Sequence, residues 1–109
     1  MRNNIIIEKL LGYIDKIQKY CNGLDYEKFT SNDIVVEACV FNLSQIGELA
    51  NKIDTEFEKA HSNIPWKQLY GLRNRIVHDY EGVNLKLVWE IIGSDLEELK
   101  QTLESLLND

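Results

Sequence analysis

An all-α bundle of four to five antiparallel helices is the fold this sequence predicts, and three observations predict it. Apolar residues recur at steps of three and four through most of the chain, the spacing of helices with one buried face. The composition is 44% apolar and 28% charged with a single proline, which suits a helical globular domain and argues against disorder. The stretches between the periodic segments are short, which favours antiparallel neighbours. With 109 residues the chain makes one domain, 1–109, able to bury about two thirds of its unfolded surface.

The first helix is expected from about Asn3 to Tyr20. Ile7, Leu10, Ile14, Ile17 and Cys21 form its stripe, Ile6, Tyr13 and Tyr20 widen it, and Asn22-Gly23 stops it. A polar loop anchored by Phe29 follows to about Ser31. The second helix is expected from Asn32 to Ile53, with Ser31 or Asn32 as N-cap and Asp33 favourable in the first turn. It carries two apolar stripes about 100° apart. Val35, Cys39, Ile46, Leu49 and Ile53 form one; Val36, Val40, Leu43, Gly47 and Ala50 form the other. Two stripes suggest burial against a further partner. With small Gly47 and Ala50 on the second, that partner is either a second copy across a two-fold seam or the rest of a tight monomeric bundle.

Residues 54–63 are polar, with a short turn pinned by Phe57 and no role assigned to His61. Pro65 opens a third helix, since its missing N–H costs nothing in the first turn. Trp66, Leu69, Tyr70, Leu72, Ile76 and Val77 supply its buried side, and it should end near His78 to Tyr80, before Gly82. Asn84 caps a fourth helix whose Leu85, Val88, Trp89, Ile92, Leu96, Leu99, Leu103 and Leu106 keep their rhythm nearly to the C-terminus. Gly93 and Ser94 interrupt its propensity but not its phase, so one long helix with a bend is expected.

Composition also sets bounds on function. No apolar run reaches the ~18 residues of a membrane span, and the N-terminus begins no secretory signal. Cys21 and Cys39 lack metal-ligand spacing and read as reduced core fillers, and His61 and His78 have no matching cysteine pair. A cytoplasmic protein without metal or cofactor is expected. The net charge of −6 disfavours broad polyanion binding. Residues 1–60 carry 7 basic and 10 acidic groups and residues 81–109 carry 2 and 7. Residues 61–80 hold Lys67, Arg73 and Arg75 against Asp79 alone, so the one basic patch is local.

That patch contains the chemistry. Arg73-Asn74-Arg75-Ile76-Val77-His78-Asp79-Tyr80 supplies two guanidinium forks suited to phosphate, an imidazole that exchanges protons near neutral pH, and a phenol. The bland reading is a helix end, where Arg and His are favourable. On an unbroken helix Arg73 and Tyr80 lie about 20° apart, whereas Arg73 and His78 lie about 140° apart. A working Arg73–His78 pair then requires either that the helix frays near His78 or that the pair forms between chains.

Arg73, four residues, His78, one residue and Tyr80, with Asn74 after the arginine, resembles the signature of the HEPN superfamily and in particular its small HepT-like toxins. Ile46-Gly47-Glu48 with Ala50, Pro65-Trp66, Gly71-Leu72 and Val88-Trp89 extend the likeness over most of the chain. The resemblance implies a homodimeric, metal-independent endoribonuclease toxin cutting tRNA or mRNA. It also implies a minimal nucleotidyltransferase antitoxin as partner. On that reading His78 is the general base on a ribose 2′-OH and Arg73 stabilises the phosphoryl charge. Asn74 and Tyr80 support them, and Arg75 and Lys67 are RNA contacts. Tyr80 either positions phosphate or accepts AMP from the antitoxin. Asn74 either orients Arg73 or His78 or bonds only to nearby backbone. Arg75 has solvent, an acid or a distal phosphate as alternatives, and Glu48 is read as a structural contact. Two other classes stay open: a non-catalytic scaffold or nucleotide-binding subunit of a nucleotidyltransferase complex, and a plain dimeric helical adaptor.

Overall fold

The computed structural model describes residues 2–78 and 82–107, the side chains of Arg2 and His78 excepted. Helix α1 runs Arg2–Cys21, and its expected stripe of Ile7, Leu10, Ile14, Ile17 and Cys21 is buried. Tyr20 stays exposed, so the widening column ends at half-buried Tyr13. The turn at Gly23 has φ +81°, a conformation that favours glycine.

The loop expected before Ser31 contains a short helix, α2, Tyr26–Thr30. Asp25 caps it, its side chain accepting a hydrogen bond from the Lys28 amide at 2.8 Å. Phe29 is the anchor expected, fully buried with its ring 4.9 Å from that of Trp89. Helix α3, Asp33–Ala50, is capped by Asn32, whose side chain accepts from the Val35 amide. It ends three residues earlier than its periodicity predicts. Asn51 closes it, with both its backbone and side-chain N–H groups donating to the Gly47 carbonyl.

Helices α1 and α3 form the frame. They run antiparallel: Cys21, at the end of α1, meets Cys39 near the start of α3, and Asn3 meets Asp54 beyond its end. The C-terminal helix α8, Leu96–Leu107, packs along α1, also antiparallel. Gln18 donates to Glu97 at 2.8 Å, and Lys100 pairs with Asp15 at 3.3 Å. The Asp15 carboxylate holds the Lys100 ammonium above its ordinary pKa. Leu96, Leu99 and Leu103 fill the space beneath.

Between α3 and α8 the chain is cut into short pieces: α4 Thr55–Ala60, α5 Trp66–Tyr70 and α6 Leu72–Ile76. A two-residue hairpin, β1 Val77–His78 against β2 Gly82–Val83, follows, and then α7 Leu85–Glu90. Pro65 stands just before α5, as its missing N–H allows. The third helix therefore departs from expectation twice. It breaks at Gly71, and it ends at Ile76, where Val77 turns extended (φ −110°, ψ 117°), short of His78.

The final helix is continuous as expected, but its phase is not strictly kept. Ile91–Asp95 forms a π-helical turn in which the Leu96 amide donates to the Ile91 carbonyl five residues back. Ser94 donates its hydroxyl to the Glu90 carbonyl within this turn. The extra residue allows neighbouring Ile91 and Ile92 both to be buried.

Candidate active site

Gly47 decides where the motif sits. A Cβ at this position would lie 2.8 Å from the Leu69 carbonyl oxygen and 3.7 Å from the Leu72 Cβ. The bare backbone of α3 thus receives the α5–α6 junction, where the helix breaks. The stripe read as a possible two-fold seam is closed off at Gly47 and Ala50 within the chain, so this part of the dimer-seam expectation is corrected. The physical reason is the one that suggested the seam, close backbone approach, with the α5–α6 junction as the occupant. On α3 the large apolar side chains left exposed are Ile34 (80%) and Phe41 (61%). Seven residues apart, they share the face about 180° from buried Leu43.

With Leu72 and Ile76 buried against the frame, α6 must show its other residues to solvent, and Arg73, Asn74 and Arg75 are all exposed. Two helical residues apart means about 200° of rotation, so the two arginines leave α6 on opposite flanks. Arg75 lines a groove of about 310 Å³ between α5–α6 and the π turn with α8, where Asp95 and Glu98 also stand. Carboxylates there favour the guanidinium and oppose a phosphate. Arg73 occupies the flank away from that wall. The Asn74 side chain is exposed and makes no hydrogen bond to another described residue. Lys67, on α5, lines a separate groove with Glu58 and Lys59.

The ending of α6 at Ile76 removes the 140° separation that an unbroken helix imposes between Arg73 and His78. The helix stops two residues before the histidine, and the His78 backbone enters a strand in register with Gly82. Gly82 has φ +83°, which suits glycine. The base of the hairpin is tied by the Asn84 amide donating to the Ile76 carbonyl at 2.7 Å. The Asn84 side chain meanwhile caps α7 by accepting from Leu87. Tyr80 and Asp79 lie outside the described residues, as does the His78 side chain.

The remaining sequence-named residues have modest surroundings. Glu48 is exposed on α3. His61 stacks beside Phe57, ring centroids 4.4 Å apart, and its carbonyl accepts from the Trp66 indole at 3.0 Å. That bond fixes the entry into α5, a packing role consistent with assigning His61 no chemistry. Gly47 and Asn84 position the motif without belonging to it. Asn84 was visible as a cap, and Gly47 was visible only as a site of close approach.

Comparison with known proteins converges on one family. The family described as "HepT-like: Ribonuclease HepT-like" matches residues 10–106. A protein of Caldanaerobacter subterraneus subsp. tengcongensis, carried under the name "Putative RNase", is 31% identical over 93% of this chain and 90% of its own length. A "Putative RNase" of Methanocaldococcus jannaschii is 33% identical over 92% of this chain and 86% of its own. The "mRNA nuclease HepT" of Shewanella oneidensis is 29% identical over 94% and 96%. No solved structure matches. No described helix is long and apolar enough to cross a membrane. A family match over residues 10–106, together with relatives 31% and 33% identical over more than nine-tenths of the chain, places this protein in the HepT-like ribonuclease family.

Proposed function

We propose that this chain is a metal-independent endoribonuclease, the toxin of a toxin–antitoxin pair, which cleaves RNA by internal transesterification. His78 takes the proton of a ribose 2′-OH, and the oxygen attacks the adjacent phosphorus. Arg73 bears on the phosphoryl oxygens as negative charge builds there. The O5′ leaving group departs with a proton from a second, protonated imidazole, that of His78 in a second copy. The observation that carries this reading is the end of α6 at Ile76, which frees His78 from the helical phase that kept it away from Arg73.

A homodimer completes the site, and the α3 face that carries exposed Ile34 and Phe41 two turns apart is the surface to test for it. A solution mass for Phe41→Glu at the monomer, against a dimeric parent, is expected. Arg75 and Lys67 are accessory RNA contacts, and Asn74 orients the catalytic pair. A nucleotidyltransferase antitoxin neutralises the enzyme. Adenylation of Tyr80 would add bulk and negative charge where RNA phosphate must approach. Incubation with the antitoxin and ATP should add the mass of AMP to the parent and not to Tyr80→Phe.

The deciding experiment is cleavage of single-stranded RNA in EDTA, with mRNA as first substrate because the Shewanella relative is named for it. Products should end in a 2′,3′-cyclic phosphate, and His78→Ala should lose about 10² or more in rate with its helical circular dichroism intact. A variant that cuts as well as the parent, or cleavage abolished by EDTA, overturns the mechanism.

A further inference from the structure

Outside the site, one pair of nucleophilic side chains has been brought together with no part in the proposed chemistry. Cys21 is the last residue of α1 and Cys39 lies in the second turn of α3, and their sulfurs are 3.5 Å apart. Both are free thiols. Spacing in the chain did not reveal this, because 17 residues, including a helix end and α2, intervene. The antiparallel packing of α1 on α3 sets the distance.

We propose that Cys21 and Cys39 are a site of reversible oxidative modification, a dithiol that closes to an intramolecular disulfide joining α1 to α3. The sulfurs need approach by only about 1.5 Å to reach the ~2.05 Å of a disulfide. Both side chains already face one shared space between two helices. Access is graded: Cys39 is fully buried, whereas Cys21 keeps 8% exposure beside the Asn22–Gly23 turn. Cys21 is therefore the sulfur that an oxidant meets first. The hydrogen bond between the thiols acts in the same sense. With Cys39 as donor, the Cys21 thiolate is favoured and its pKa lowered, while Cys39 is held protonated.

With hydrogen peroxide as oxidant, the disulfide forms in two steps. The Cys21 thiolate attacks one peroxide oxygen; an S–O bond forms, the O–O bond breaks, and the departing oxygen takes a proton to leave as water. Cys39 sulfur then attacks the Cys21 sulfenic acid; the S–S bond forms, the S–O bond breaks, and hydroxide leaves with the Cys39 proton as a second water. Two thiols lose two electrons and two protons, and the peroxide is reduced to water. The cross-link closes the loop of residues 22–38 and restricts the unfolded chain. Cys39 and Gly47 are eight residues apart on α3, about 12 Å of helix. The cross-link therefore acts on the frame and not on the α5–α6 junction, and the inference does not rest on the ribonuclease reading.

The test treats the folded full chain with hydrogen peroxide, then denatures it and counts thiols with a maleimide. Both thiols should be lost together, with a mass lower by two hydrogens and full recovery with dithiothreitol. The non-reducing gel should show no covalent dimer, and Tm should rise by roughly 5 °C or more. In Cys39→Ser, Cys21 should be trapped by dimedone as the sulfenic acid. The parent at completion should show no such adduct. Two thiols still titratable in the treated parent, cross-links between chains, or sulfinic acid in place of a disulfide would each overturn the proposal. The parent experiment decides even if Cys39→Ser does not fold.

Discussion

Helices α1 and α3 run for 20 and 18 residues, and the frame they share is buried almost without polar interruption. From Trp66 to Val83 the longest element has five residues, and Arg73, Asn74 and Arg75 stand in solvent. The first region is held by its own periodicity, because each turn adds another apolar contact to the same stripe. The second adds only four buried side chains among its described residues, Trp66, Leu69, Leu72 and Ile76, and is set in place by single fittings: Gly47 beneath the Leu69 carbonyl, the Trp66 indole on the His61 carbonyl, and the Asn84 amide on the Ile76 carbonyl. The segment is seated on the frame by Trp66, Leu69, Leu72 and Ile76, while the side chains proposed to act on RNA stand outside the core and bury little. Stability and activity should therefore separate in mutants.

The frame should show the largest effect. Leu43 is fully buried in α3 against the α1 core, so Leu43→Ala removes a methyl-rich side chain and leaves a cavity. About 2–5 kcal/mol of unfolding free energy should be lost, measured by urea titration. Turnover per folded molecule should change little at temperatures where the variant remains native. If turnover per folded molecule falls along with stability, the two regions are not separable in this way.

The proposed catalytic segment should behave in the opposite sense. Arg73→Ala should lower the cleavage rate by about 10²–10³, the effect of deleting one donor to a developing oxyanion, and leave the urea midpoint where it was. Arg75→Ala, on the flank shared with Asp95 and Glu98, should cost no more than roughly fivefold, through weaker attraction of RNA. Equal losses in the two variants would show that the acidic wall of Asp95 and Glu98 does not distinguish the flanks.

How much of this was legible in the sequence follows the same division. Periodicity exposed α1, most of α3 and the Leu96–Leu103 face of α8, because burial of one helical face is what a three-and-four rhythm records. Local capping chemistry exposed Asn32 and Asn84. Helix α2 stands where the sequence predicts a loop, because five residues around a single buried phenylalanine are too short for periodicity to register. The break at Gly71 and the strand at Val77–His78 escaped for a different reason. Leu69, Leu72 and Ile76 are spaced as one helix would space them, and only the contact with Gly47 and the pairing with Gly82–Val83 show that the backbone turns. The π turn is hidden likewise, since one added residue leaves Val88, Ile92 and Leu96 at intervals of four. For the site, residue types were legible and geometry was not: nothing in the spacing of Arg73 and Arg75 says that one of them faces Asp95 and Glu98.

Gly47→Ala tests the joint between the regions. The added methyl meets backbone, not the end of a flexible side chain, so the α5–α6 junction must shift to accept it. A loss of about 1–3 kcal/mol is expected from overpacking. Because the shifted segment carries Arg73, the cleavage rate should fall as well, in a variant that touches no RNA. Loss of stability with an unchanged rate would mean that α6 holds its place independently of Gly47.

The smallest effect should come from Asn84, whose two bonds can be separated. Its side chain caps α7 through the Leu87 amide at 3.1 Å, and its backbone amide closes the hairpin on Ile76 at 2.7 Å. Asn84→Ala removes the first bond and keeps the second, so about 1 kcal/mol should be lost. Asn84→Asp, another good N-cap, should recover most of it. In neither variant should the cleavage rate move by more than about twofold, since that bond to Ile76 survives. Hydrogen exchange gives the sharper measurement. In Asn84→Ala the Leu87 amide, stripped of its side-chain acceptor, should exchange faster, while the amide at position 84 itself keeps its protection. If position 84 loses protection too, cap and hairpin open as one unit, and the segment carrying Arg73 depends on α7 as much as on α3.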